Sequence, residues 1–260
     1  MLKFFRRIRL QLLDNGKTRK YLMYAIGEIL LVVVGILIAL QVNNWNEKRK
    51  NRITEIQLLE IIHENLTNDI DDFEKNLIHL SNRIQACEVL LGSANDIIEY
   101  HDSLAYHLFY TIVFSHFTPN ESGYELLKSQ GIESISNDSL KLSITNLYEY
   151  GYKYLFTWES EQINNITNNY SPMLRQYLGT TTVGEEYIPI ALDNSRNHLT
   201  NFSSNGLVIN IENFDGLTKN VEIQYFIANM KGSSKMLQQI HEQTKNEVTK
   251  VIKNIERNLE

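Results

Sequence analysis

Apolar residues fill positions 21–42, YLMYAIGEILLVVVGILIALQV, almost without interruption, and then give way to a sparse periodic stripe. The unbroken run predicts a transmembrane helix, since 22 residues at about 1.5 Å each cover about 33 Å and a hydrocarbon core is about 30 Å thick. A helix buried in a soluble core would carry a polar face, and Ile29 to Leu40 has none. A cleaved signal peptide would have a shorter apolar region ending in an A-x-A-like site, which Ile38-Ala39-Leu40-Gln41 does not offer. The run therefore reads as an uncleaved signal anchor.

Beyond it, Ile62, Leu66, Ile70, Phe73, Leu77, Leu80, Ile84, Cys87 and Leu91 recur at intervals of three and four, the period of a helix packed along a coiled-coil-like seam. Gly92-Ser93 is the first break, so the membrane helix is expected to continue as a stalk, straight or bent at Asn43-Asn44. The C-terminus mirrors this pattern with Leu237, Ile240, Thr244, Val248, Val251, Ile255 and Leu259. Gly232-Ser233-Ser234 marks either the N-cap of that helix, after a shorter one from about Leu217 to Met230, or a kink. Two long seams in one chain predict an antiparallel pair within a bundle.

The middle of the chain supplies shorter helices. Leu104 to Phe117 is rich in aromatics; Thr118-Pro119-Asn120-Glu121-Ser122-Gly123 breaks the chain before a helix near Tyr124 that Gly131 stops. Asn137 or Asp138 caps the next, which runs to about Tyr170, and Ser171-Pro172 opens a turn ending at Gly179. From Thr180 to Phe214 the periodicity fails, and Gly206-Leu207-Val208-Ile209 alone looks like a strand. The fold class is mainly α: residues 1–20 form a basic tail, 21–42 the span, and 43–260 an elongated helical bundle with an irregular excursion near 180–214, either compact or drawn out as a stalk.

Charge adds orientation. Lys3, Arg6, Arg7, Arg9, Lys17, Arg19 and Lys20 precede the span, while Lys48, Arg49, Lys50 and Arg52 follow it. Seven cations against four place the N-terminus in the cytoplasm and the large C-terminal part in a bacterial periplasm. Residues 51–260 carry 15 basic and 28 acidic side chains, a balance that argues against nucleic acid as a partner. Arg6, Arg7 and Arg9 suit anionic lipid headgroups, in an interfacial helix or a plain tail. Tyr21 and Tyr24 at one end of the span and Trp45 at the other read as interfacial anchors. The single cysteine, Cys87, lies on the apolar stripe and is expected to be buried.

The block FFRRIR…KYLMYAIGEILLVVVGILIALQVNNWNEKRK, with GYELLKSQGIESISNDSL and NLYEYGY further on, resembles a family of bacterial single-span proteins known only as a domain of unknown function. The resemblance is close over the anchor and loose beyond it. It implies an inner-membrane protein with a helical ectodomain, and it brings no activity, ligand or catalytic residue.

Chemistry is sparse. His63-Glu64 and His241-Glu242 begin a helical zinc pattern, but Thr67 and Lys245 stand where the second histidine is needed. Asp69, Asp71, Asp72 and Glu74 lack the glycine and final glutamate of a calcium loop and read as a solvated face. Antiparallel pairing of the long helices would bring His63 and His241 to similar heights, as a pH-sensitive or metal-binding pair or as ordinary surface histidines. Glu28 is the better candidate, because an ionisable group in a span is costly. It reads either as a protonated or snorkelling side chain or as a contact with a partner helix, close approach being allowed by Ala25, Gly27 and Gly35-x-x-x-Ala39. No cofactor or catalytic constellation is implied. Three function classes remain: an anchored interaction or scaffold protein with a protein partner or a second copy of itself; a ligand-binding sensory ectodomain that needs a separate output partner; and an enzyme without a recognisable motif. A deep polar pocket around Tyr106 to Phe117 would favour the second, and a broad exposed apolar patch the first.

Overall fold

The computed structural model describes residues 18–95, 102–182 and 207–260. Its first helix, α1, runs without a break over Thr18–Asn95, 78 residues, and so includes Asn43-Asn44 and Gly92. Compactness divides the chain into Met1–Ile56 and Gln57–Glu260. In the first unit every described residue belongs to α1. Its most apolar window has a mean hydropathy of 2.5 and none of it is buried. This stretch is therefore not a core helix, and it is long and apolar enough to cross a membrane.

The second unit is mainly α-helical. After residues 57–95 of α1 come α2 (Asp102–Ile112), α3 (Ser122–Gln130), a 3₁₀ turn (Ile132–Ser134), α4 (Asp138–Asn146), a π turn (Leu147–Gly151), α5 (Tyr152–Asn165), a second π turn (Ile166–Tyr170) and α6 (Ser171–Leu174). A 3₁₀ turn (Arg175–Tyr177) leads to β1 (Leu178–Thr182), then follow β2 (Leu207–Ile211), α7 (Phe214–Lys219) and α8 (Val221–Leu259). Side chains set the boundaries. Asn137 caps α4 by accepting from Leu140 N–H, and Asn220 caps α8 by accepting from Glu222 and Ile223 N–H. Gly131 ends α3 with φ +95°, where a side chain would be strained. The second π turn sits just before Pro172, which has no N–H for the preceding turn and crowds its carbonyl; Ser171 N–H reaches back to Ile166 O instead.

Three expectations need correction. The turn opened at Ser171-Pro172 does not reach Gly179, because Leu178–Thr182 pairs antiparallel with Leu207–Ile211; the expected strand at Leu207 is present, and its partner was hidden in a threonine run. Gly232-Ser233-Ser234 is not the N-cap of a new helix, since α8 runs on through it from Val221, and Leu217 belongs to the separate α7. The acidic run on α1 is only half solvated: Asp71 and Glu74 are exposed, while Asp69 and Asp72 are buried.

Helices α1 and α8 pack antiparallel. His63 meets Glu256, Glu74 meets Lys245, Ser81 meets Gln238 and Glu88 meets Lys231. The two numbers in every pair add to the same total, so the register is constant along the pair. Two apolar clusters fill the core: one around Ile62, Phe73, Phe117, Tyr152 and Val248, the other around Cys87, Leu108, Tyr170, Leu217 and Ile227.

Candidate functional site

The inward face of α1 follows a strict heptad. Leu59, Ile62, Leu66, Asp69, Phe73, Asn76, Leu80, Arg83, Cys87 and Leu90 alternate at intervals of three and four, and all are buried. Three of them, seven residues apart, are polar: Asp69, Asn76 and Arg83. Ile70, Leu77, Ile84 and Leu91, which the apolar pattern had placed on the seam, lie only half-buried at its edge. A polar group on a seam costs several kcal/mol unless it is hydrogen-bonded, so each of the three needs a partner.

The partner is a strap of irregular chain, residues 113–121, which runs antiparallel to α1 between α2 and α3. Asp69 Oδ1 accepts from Asn120 N–H at 2.8 Å, Asp72 Oδ2 accepts from Thr118 N–H at 2.9 Å, and Ser115 Oγ donates to Asn76 Oδ1. From α5, Glu159 accepts from Phe117 N–H at 3.0 Å. One turn earlier on α1, Asn65 Oδ1 accepts from Gly123 N–H at 2.8 Å and caps α3. Acceptors on two helices thus take the N–H groups that an isolated strand would leave unpaired.

Arg83 holds the opposite end. It is 1 % exposed; Nε donates to Tyr110 O, Nη2 to Val113 O, and Nη1 to Gln162 Oε1 at 2.5 Å. No carboxylate faces it among these partners. Its charge instead meets the carbonyls at the C-terminal end of α2, the negative end of that helix. Burial lowers the guanidinium to about 10, and His79 beside it falls to about 4, first through burial and then through the Arg83 charge. His79 is therefore neutral, and its Nε2 lies 3.2 Å from both Arg83 Nη2 and Val113 O.

Between these ends lies an aromatic and acidic centre. Tyr152 OH donates to Asp69 Oδ2 at 2.8 Å, and Phe73 and Phe117 stack at 4.2 Å. Burial raises Asp69 to about 6 against the lowering effect of its hydrogen bonds to Asn120 and Tyr152. Buried His241 donates through Nε2 to Glu159 Oε1 at 2.9 Å, while its Nδ1 has no hydrogen-bond partner among the described residues.

The two histidines weighed as a pair are not together. His63 faces Glu256 and His241 faces Glu159. The register sets His63 level with a residue 15 positions beyond His241, about 22 Å along α8. Among the described residues no group of three or more His, Cys, Asp or Glu could hold a metal ion. Glu28 is half-exposed on α1, and a Cβ added at Gly27 or Gly35 would meet nothing within 4 Å. Trp45 is exposed. Arg6, Arg7 and Arg9, and the side chains of Tyr21 and Tyr24, lie outside what is described. Cys87 is buried as expected, which raises its thiol to about 11.

Leu142 on α4, Tyr150 in the π turn and Tyr154 on α5 are 60 %, 71 % and 55 % exposed, and the Tyr154 ring lies 6.2 Å from that of Trp158. An open groove of about 700 Å³ is lined by Asn168, Asn169, Pro172, Met173, Val221, Glu222, Tyr225 and Phe226.

Residues 28–195 match the Family of unknown function (DUF6090). The chain belongs to this family. The DUF6090 match takes in Glu28, the strap, the polar seam of α1 and Glu159, whereas His241 and all of α8 lie beyond it. No curated protein and no solved structure matches the chain.

Proposed function

We infer that this DUF6090 protein is a single-span protein of the bacterial inner membrane, with its N-terminus in the cytoplasm and its helical domain in the periplasm. In this reading it is a non-catalytic interaction or scaffold protein. The exposed side of the stretch from α4 through the π turn to α5 carries the reading: Leu142, Tyr150 and Tyr154 stay in water although the same stretch buries Tyr148, Tyr152 and Leu155. Clustered exposed apolar side chains are a mark of protein-binding surfaces, and Tyr and Trp are over-represented at their energetic centres. The charge count across the span supports the orientation, and Glu28 offers a polar contact to a partner helix within the bilayer.

The test is crosslinking in intact cells, purification in mild detergent and mass spectrometry. A discrete partner, or a second copy, should be recovered with wild type and lost from the Tyr150→Ser, Tyr154→Ser variant; Glu28→Leu should weaken it. Recovery of the chain alone in every case sinks the scaffold reading. A second reading, a ligand-binding domain that needs a separate output partner, has one observation in its favour. The groove beside Tyr225 and Phe226 combines an apolar floor with the amides of Asn168 and Asn169.

A further inference from the structure

We propose that Lys48, Arg49 and Lys50 form a cationic collar that binds anionic phospholipid headgroups on the domain side of the bilayer and makes the anchor selective for lipid composition. The proposal rests on the reading of residues 21–42 as a span. All three residues are exposed on α1, and none has an ion-pair or hydrogen-bond partner among the described residues. Their neighbours differ: Glu47 accepts from Asn43 Nδ2 at 3.0 Å, and Arg52 pairs with Glu55 at 2.9 Å.

Position along the helix fixes the depth. Lys48 to Lys50 begin six residues past Val42, about 9–12 Å beyond the last apolar side chain. The headgroup layer reaches about 5–8 Å beyond the hydrocarbon on each side. Long Lys and Arg stems reach back over that difference, while Trp45, about 4.5 Å past Val42, marks the interface itself. At about 100° per residue the three cations spread over some 200° of the helix circumference, which suits a ring of lipids better than a single protein groove. Under the proposed orientation they also lie on the translocated side, where the positive-inside bias works against basic residues near a span. A charge complement on that side accounts for three unpaired cations in succession.

The test uses the full chain reconstituted in vesicles of phosphatidylcholine mixed with phosphatidylglycerol. Lipids retained after gentle detergent release are counted by native mass spectrometry. Wild type should retain phosphatidylglycerol above its bulk share, and the Lys48→Gln, Arg49→Gln, Lys50→Gln variant should lose this preference by about fivefold or more. The wild-type preference should also shrink between 0.1 M and 1 M salt, as the screening length falls from about 10 Å to about 3 Å. A variant with Arg6, Arg7 and Arg9 changed to Gln should keep most of it. Wild-type preference in the collar variant, or a preference lost wholly with the tail variant, overturns the proposal. Loss of a co-purified protein with lipid preference intact also overturns it, in favour of a protein partner. Release of wild type from pure phosphatidylcholine vesicles by alkali would overturn the span itself, a separate failure.

Discussion

Asp69 sits on the seam of α1 with no cation among the described groups that shift it, and its carboxyl is the one whose titration the strap should report. Its folded value is about 6 against 3.8 when unperturbed. Between those values the folded chain keeps a proton that the unfolded chain has lost, so stability falls as pH rises. The stabilisation is complete below pH 3.8 and gone above about pH 6, and amounts to about 3 kcal/mol. Thermal melting of the detergent-solubilised chain across that window should show the loss. Asp69→Asn should flatten it, because the amide oxygen still accepts from Asn120 N–H while its NH₂ donates to Tyr152 OH. An unchanged slope in the variant would mean that other groups carry it. Arg83 gives a second prediction at this scale. A lysine cannot reproduce a fork that reaches Tyr110 O, Val113 O and Gln162 together, so Arg83→Lys should cost about 2–4 kcal/mol by leaving buried acceptors unpaired, measured as a lower denaturation midpoint.

At the level of elements, two glycines separate packing from propensity. A Cβ at Gly123 would come within 2.9 Å of Ile62 Cγ1 and 3.1 Å of Ile62 Cα. Gly123→Ala should therefore push α3 off α1 and cost about 1–3 kcal/mol. Gly232 lies within α8, is exposed, and a Cβ there meets nothing within 4 Å. Gly232→Ala should raise stability by about 0.5–1 kcal/mol, a gain of about 1–4 °C in Tm; a loss would show that the helix needs flexibility there. The same position explains a misreading. Glycine and two serines resemble a helix boundary, but buried Ile227, Met230, Leu237 and Ile240 carry one apolar face across them, and packing of such a face outweighs local propensity. On α1 the error ran the other way. Apolar Ile70, Leu77, Ile84 and Leu91 drew the seam sideways because Asp69, Asn76 and Arg83 are polar, although each of these three follows a buried residue by three positions. Their partners, the backbone groups of residues 113–121, have no signature in sequence.

Over the whole molecule, the long helices and the pairing of α1 with α8 were legible in the apolar periods, whereas the register of that pairing was not. A seam that repeats every seven residues packs nearly as well after a slip of one heptad, so apolar spacing leaves several registers close in energy. Matching chain lengths would have set His63 against His241; the actual register sets His63 against Glu256 and brings Leu259 level with Glu60. The surface pairs His63–Glu256, Glu74–Lys245 and Glu88–Lys231 contribute little each. Buried shape and polarity are the better selectors, above all Phe73 against the His241 ring at 5.6 Å and His241 on Glu159. The register can be tested directly with the native thiol removed by Cys87→Ala. Ser81→Cys with Gln238→Cys, at positions whose side chains now meet at 3.0 Å, should join efficiently with a short bismaleimide. Ser81→Cys with Arg257→Cys, 19 residues further along α8 and about 28 Å away, should not. Equal joining of both pairs would mean that the helices slide. Joining of the second alone would place the true register more than two heptads from the one described, and would separate Glu159 from His241.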